Sequence, residues 1–133
     1  QEVSMTRRDF LSSLARLLGL IALPMAARAA SAQPRLIQQC HLAGFQHHDG
    51  EELWSYLTVG DSLELHREPG NRHDANAIRV DWLGRKLGYL PRAENQAAAR
   101  LIDQGKRLEA RIGRLKNSSN PWRRVAVEVW LVG

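Results

Sequence analysis

Past residue 33 the chain alternates apolar and polar residues with a period of two, segment after segment, as strands do when they bury one face. Leu36 to Phe45 reads as a first strand in either of two registers, with Leu36, Cys40 and Leu42 inward or with Ile37 and Ala43 inward. Asp49-Gly50-Glu51-Glu52 makes a turn, and Leu53, Trp54, Tyr56 and Leu57 form either a short helical turn or an irregular apolar plug. Val59-Gly60-Asp61 opens a second strand, Ser62 to Arg67, with Leu63 and Leu65 inward. Ala77 to Trp82 sets Ile78, Val80 and Trp82 against Ala77, Arg79 and Asp81. Leu83-Gly84 is a hairpin tip, and Lys86 to Leu90 returns with Leu87 and Tyr89 on one side. The period changes once, over Glu94 to Gln104, where Ala97, Ala98, Leu101 and Ile102 recur at helical spacing ahead of Gly105, a C′ residue. Leu108, Ala110 and Ile112 alternate in a fifth strand, and Val125, Val127, Val129 and Leu131 in a last one after the polar loop Lys116 to Trp122. The pattern predicts a mostly β domain with one or two helices, a small β-barrel or strongly curved sheet closed by the helix.

Residues 1–32 follow a different logic. Arg7-Arg8 precede Phe10-Leu11 and an apolar run from Leu14 to Met25, and small residues follow from Ala26 to Ala32. A basic n-region, an apolar h-region and an A-x-A site make an export signal, and the paired arginines resemble twin-arginine signals. Cleavage is expected after Ala32, with residues 1–4 an upstream extension or expression remnant and 33–133 the mature domain. That predicts a periplasmic or secreted protein with no membrane insertion after cleavage, since no later segment is apolar enough to span a bilayer.

The chain carries 19 Lys and Arg against 14 Asp and Glu. Four of the basic and two of the acidic residues lie in 1–32, which leaves the domain at a net charge of +3. This balance permits a polyanionic partner without requiring one. Cys40 is the one cysteine in the sequence, so an internal disulfide is excluded and stability rests on packing.

Chemistry concentrates in Glu68-Pro69-Gly70-Asn71-Arg72-His73-Asp74-Ala75-Asn76-Ala77-Ile78-Arg79-Val80. Pro69, Gly70 and Asn71 are turn formers, and Asp74 and Asn76 can fold their side chains onto nearby N–H groups. Such a loop presents Arg72, His73 and Arg79 in a defined geometry. This stretch, E-P-x-N-x-x-D-x-N-A-I-x-V, together with Gly84 to Pro91 (containing G-Y-L-P), Gly44 through Leu63 and the helix after Pro91, resembles a HIRAN domain. The resemblance covers nearly all of 33–133 and implies a small OB-like β-barrel of about six strands.

HIRAN domains accompany remodelling ATPases and ubiquitin ligases of DNA repair and also stand alone in bacteria. In the repair proteins they grip single-stranded DNA at a free 3′ end. The resemblance therefore implies a noncatalytic nucleic-acid-binding domain in which Asp74 accepts the terminal sugar hydroxyl. His73 stands where DNA-gripping members stack an aromatic on a base. His47 falls at an aromatic near the end of the first strand, preceded by Gln46 where the family can place an arginine. Trp122 falls at an aromatic of the last loop. Arg72, Arg79, Lys86, Arg123 and Arg124 could follow the phosphate backbone of a single strand or another polyanion. Imidazole stacks on a base less well than phenol, and each stack is worth about 1–3 kcal/mol.

Two other readings compete. The export signal favours an envelope domain that binds protein or cell-wall partners with the DNA site decayed. Cys40, His41, His47, His48, His66 and His73 raise a metal-dependent hydrolase, although no C-x-x-C or H-x-x-x-H pair is present. No catalytic residues, metal ligands or cofactors are assigned, and no phosphate-binding G-x-x-x-x-G-K-[ST] loop occurs. Trp54, Trp82 and Trp130 are expected in the core or at its rim.

Overall fold

The computed structural model describes residues 33–133, and the export signal expected over 1–32 lies outside them. Pro34–Gly133 forms one unit built on six antiparallel strands, β1 (Arg35–His41), β2 (Ser62–Arg67), β3 (Ile78–Trp82), β4 (Arg85–Tyr89), β5 (Leu108–Leu115) and β6 (Val125–Leu131). Two helices join them, α1 (Gly50–Leu53) and α2 (Gln96–Asp103). The strand order is β1-β6-β5-β2-β3-β4.

The sheet does not close into the expected barrel. Gly44, at φ 75°, turns the chain away just past β1, so only Ala43 reaches the far edge, in an isolated bridge to Tyr89. The bridge is nonetheless tight, with Ala43 N–H to Tyr89 O at 2.8 Å and Tyr89 N–H to Ala43 O at 2.9 Å. Gly88 permits it, because a Cβ there would collide with the carbonyl oxygen of Ala43.

Alternation settles the open register of β1. Cys40 and Leu42 are buried while Leu36 and Ile37 are both exposed, because a bulge between Leu36 and Gln38 interrupts the pairing with β6. Leu42, Phe45, Ile78, Val80, Leu87, Leu90, Ile112, Val125, Val127 and Val129 are completely buried and form the core. Leu53 to Leu57 take the helical alternative, α1 followed by a 3₁₀ turn at Trp54–Tyr56.

Three expectations of facing are corrected. Asp81, expected outward, is 5% exposed because Arg79 and His66 close over it. Leu87 and Tyr89 do not share a side: a bulge between Val80 and Asp81 makes Leu87 the extra residue opposite them, so it enters the core while Tyr89 stays half-buried. On α2 the buried residues are Ala98 and Ala99, and Ala97 is exposed, because the stripe begins at the buried Asn95. The helix ends as expected, with Gly105 at φ 81° and the paired bonds Gly105 N–H to Ile102 O and Lys106 N–H to Leu101 O.

Candidate functional site

The segment between β2 and β3 is braced by its own polar groups. Glu68 N–H donates to Ala77 O at 2.9 Å and closes the base. Asn71 Oδ1 accepts from the N–H groups of His73 (2.9 Å) and Asp74 (3.2 Å), and its Nδ2 donates to Glu68 Oε1 at 3.1 Å. Asp74 Oδ1 accepts from Asn76 N–H at 2.9 Å, as the sequence predicts, but the second inward-folding side chain is Asn71 rather than Asn76.

Neighbouring elements hold this loop from outside. Asn95, 1% exposed ahead of α2, donates Nδ2 to Asp74 Oδ2 at 2.6 Å. Tyr89 Oη donates to Glu68 Oε1 at 2.8 Å. Arg67 donates to the carbonyls of Ala75 and Ala77 and binds Asp103 of α2 bidentately at 2.9 and 3.0 Å. A rigid loop follows, with His73 exposed at its surface and the Asp74 carboxylate held by two donors.

Beside it runs an open groove of ≈ 480 Å³. The loop contributes Asn71, His73 and Asp74, and the turn after β1 contributes His47 and His48. Lys86, Tyr89 and Arg92 come from β4 and the segment after it, with Ala43, Ala77 and Leu90 as apolar lining. The rings are ordered: His48 and Tyr89 meet edge to face at 5.9 Å, and Lys86 Nζ lies 4.6 Å from the Tyr89 centroid.

Burial, helped by the charges of Lys86 and His47, pushes the His48 imidazole below its usual range, so it favours the neutral form. Burial alone would raise the Glu68 carboxyl, but hydrogen bonds from Tyr89 and Asn71 and the charges of Lys86 and Arg79 outweigh it and hold Glu68 below the ordinary range. The groove thus offers aromatic faces, two cations and one fixed acceptor carboxylate.

Of the residues singled out from sequence, His47, His73, Asp74 and Lys86 share this groove. Gln46 precedes His47, its Oε1 buried and without a hydrogen-bond partner among the described residues. Arg72 is exposed on the loop and does not line the groove. Arg79 is occupied by Asp81 (3.0 Å) and Glu68 (3.3 Å). Arg124 binds Glu51 and lies 4.3 Å from the Trp54 centroid and 5.4 Å from that of Phe45. Trp122, 52% exposed, and Arg123 sit in the 3₁₀ turn Pro121–Arg123, outside the groove lining.

The groove adds His48, Asn71, Tyr89 and Arg92, with Asn95 behind them. Tyr89 lies within the G-Y-L-P motif, which was the available signal; Arg92 and Asn95 carry none.

Metal-like geometry among the described residues arises elsewhere, at Glu64, His66 and Asp81, whose ligand atoms lie within 4.8 Å of one another. His66 Nε2 is 3.4 Å from each carboxylate, and the other Asp81 oxygen is already held by Arg79. His66 thus lies between the Glu64 and Asp81 carboxylates across the β2–β3 pair. Cys40 is buried, and burial, with Glu94 nearby, raises its thiol to about 11 despite a hydrogen bond with Gln38, which disfavours the thiolate.

Residues 37–132 match the family model described as HIRAN domain. A crystal structure of a protein from Lactobacillus plantarum is similar at 32% identity and a TM-score of 0.65, over 74% of this chain and 95% of that one. The crystallised HIRAN domain of human HLTF is similar at 21% identity and a TM-score of 0.57, over 71% of this chain and 73% of that one. Among curated proteins none matches. The match to the family model spans most of the chain, and the chain belongs to the HIRAN domain family.

Proposed function

We propose that the domain is a noncatalytic binder of single-stranded nucleic acid that takes a free 3′ end into the groove. The observation that carries this reading is one carboxylate, Asp74, fixed by Asn76 and Asn95 in a groove otherwise furnished with imidazole and phenol rings and the cations Lys86 and Arg92. Each chemical part of a strand end has a counterpart there. Rings stack on bases, and ammonium and guanidinium groups neutralise phosphates. A carboxylate repels phosphate but accepts a hydrogen bond from a hydroxyl, and each Asp74 oxygen keeps a lone-pair direction beyond the donor it already holds. Asp74 therefore discriminates a strand terminus from strand interior.

Fluorescence anisotropy with labelled single strands tests this. A free 3′ hydroxyl is expected to bind about tenfold or more tightly than a 3′ phosphate, the equivalent of about 1.4 kcal/mol. Equal binding of both ends, or no binding at low salt, would remove the end-recognition reading.

A further inference from the structure

The described cations fall into two kinds. Arg67, Arg79, Arg85, Arg107 and Arg124 are each engaged by carboxylates. The other Lys and Arg side chains form no ion pair among the described residues, and three of them, Arg114, Lys116 and Arg123, converge with His41 on a separate hollow of ≈ 270 Å³.

Strand register produces this convergence. Ala126 of β6 is the cross-strand partner of His41 on β1 and of Arg114 on β5. Cys40 and Leu42, Val125 and Val127, and Ile112 all point into the core, so His41, Ala126 and Arg114 form a row on the opposite face. The small Ala126 side chain leaves a trough between imidazole and guanidinium. Lys116 follows at the end of β5, where its N–H donates to Arg124 O at 2.9 Å and draws it beside the Pro121–Arg123 turn. Like charges that form no ion pair repel one another, and an anion seated among them relieves the repulsion. The trough is bounded on one side. A second hollow that shares His41 and Arg114 is also lined by Glu94 and Glu128, where an anion would be repelled.

The turn carrying Trp122 and Arg123 packs against the turn Phe45–His47, which carries one wall of the groove. Exposed Trp122 therefore stands on the element that joins the two sites.

We infer that the hollow of His41, Arg114, Lys116 and Arg123 is a phosphate-binding subsite for the continuing backbone of the strand whose end lies in the groove. This rests on the nucleic-acid reading of the groove, and the test separates the two.

Anisotropy is measured with 5′-labelled oligothymidylates of about three and about twelve nucleotides, against the wild-type chain, R114A/K116A and the groove variant H73A. Arg114 and Lys116 are exposed, so their removal leaves the core untouched. R114A/K116A is expected to weaken the long strand about tenfold, spare the short one, and shrink the log–log salt slope by about 1.4, from about 0.7 per phosphate on single strands. H73A is expected to weaken both lengths. Wild-type affinity of R114A/K116A for the long strand, or equal loss on both lengths, overturns the subsite and leaves the groove reading standing. Loss in R114A/K116A with no effect of H73A overturns the groove reading and keeps the hollow as a phosphate site. No binding of either strand by the wild-type chain overturns both.

Discussion

Asp74 and Asn95 carry the most consequential side-chain contact in the molecule. They lie 21 positions apart, and their 2.6 Å bond ties the β2–β3 loop to the start of α2. Asn95 does not line the groove, so its effect is positional. Asn95→Ala is expected to cost about 1.5–3 kcal/mol in urea unfolding, as hydrogen bonds to charged groups do, and to weaken strand binding. Asp74→Asn removes the charge that repels phosphate and also leaves one of the two donors, Asn76 N–H or Asn95 Nδ2, without its acceptor. It is expected to bind 3′-phosphorylated and free strands alike in the same anisotropy measurement. The turn-forming residues of this loop announced a self-braced structure, and Asp74 behaves as its type predicts. Asn71 was legible only as a turn former, because its two accepted and one donated bonds depend on how the loop folds over it.

Among the elements, the β3–β4 hairpin and the approach of residues 42–43 to β4 set the groove. Leu83 occupies the left-handed region at φ 46° in the hairpin tip and is 75% exposed, so its side chain gains little there and its backbone is strained. Leu83→Asn is expected to stabilise the domain by about 1 kcal/mol, read as a higher urea midpoint at unchanged slope. Gly88 acts in the opposite sense. Gly88→Ala forces its Cβ against the Ala43 carbonyl, and a cost of about 1–3 kcal/mol is expected with loss of protection at the Ala43 and Tyr89 amides in hydrogen exchange. The hairpin itself was plain from the alternation around Leu83-Gly84. The bulge that sends Leu87 inward and leaves Tyr89 beside the groove was not, because a bulge depends on the partner strand and not on a strand's own pattern.

For the whole molecule, acid acts through two sets of groups with separate pH windows. His48 titrates below its ordinary value of 6.5 in the folded state, so the unfolded chain takes up a proton first and stability falls as pH drops through about 6.5. Glu68 is held below its ordinary value of 4.5, and Asp49 and Asp103 below 3.8 by hydrogen bonds they accept from Arg85 and Arg67. Their stabilisation is present above those values and is lost as pH falls beneath them. Urea midpoints measured between pH 7.5 and 3 are expected to decline in these two stages, with the upper one absent from a His48→Gln variant. The alternation of apolar residues determined by itself that residues 33–133 form a β domain of five or six strands with a helix before the fifth, because burying one face of a strand requires period two wherever that face meets the core. The motif from Glu68 to Val80 likewise pointed to a stretch of which Asn71, His73, Asp74 and Ala77 line the groove. Only the tertiary structure decided that the sheet stays open, that Tyr89 and Arg92 join His47, His73 and Asp74, and that Arg79 and Arg124 are occupied by neighbouring carboxylates. Those outcomes depend on distances between segments far apart in sequence, which strand register and a single glycine at position 88 set and local pattern does not encode.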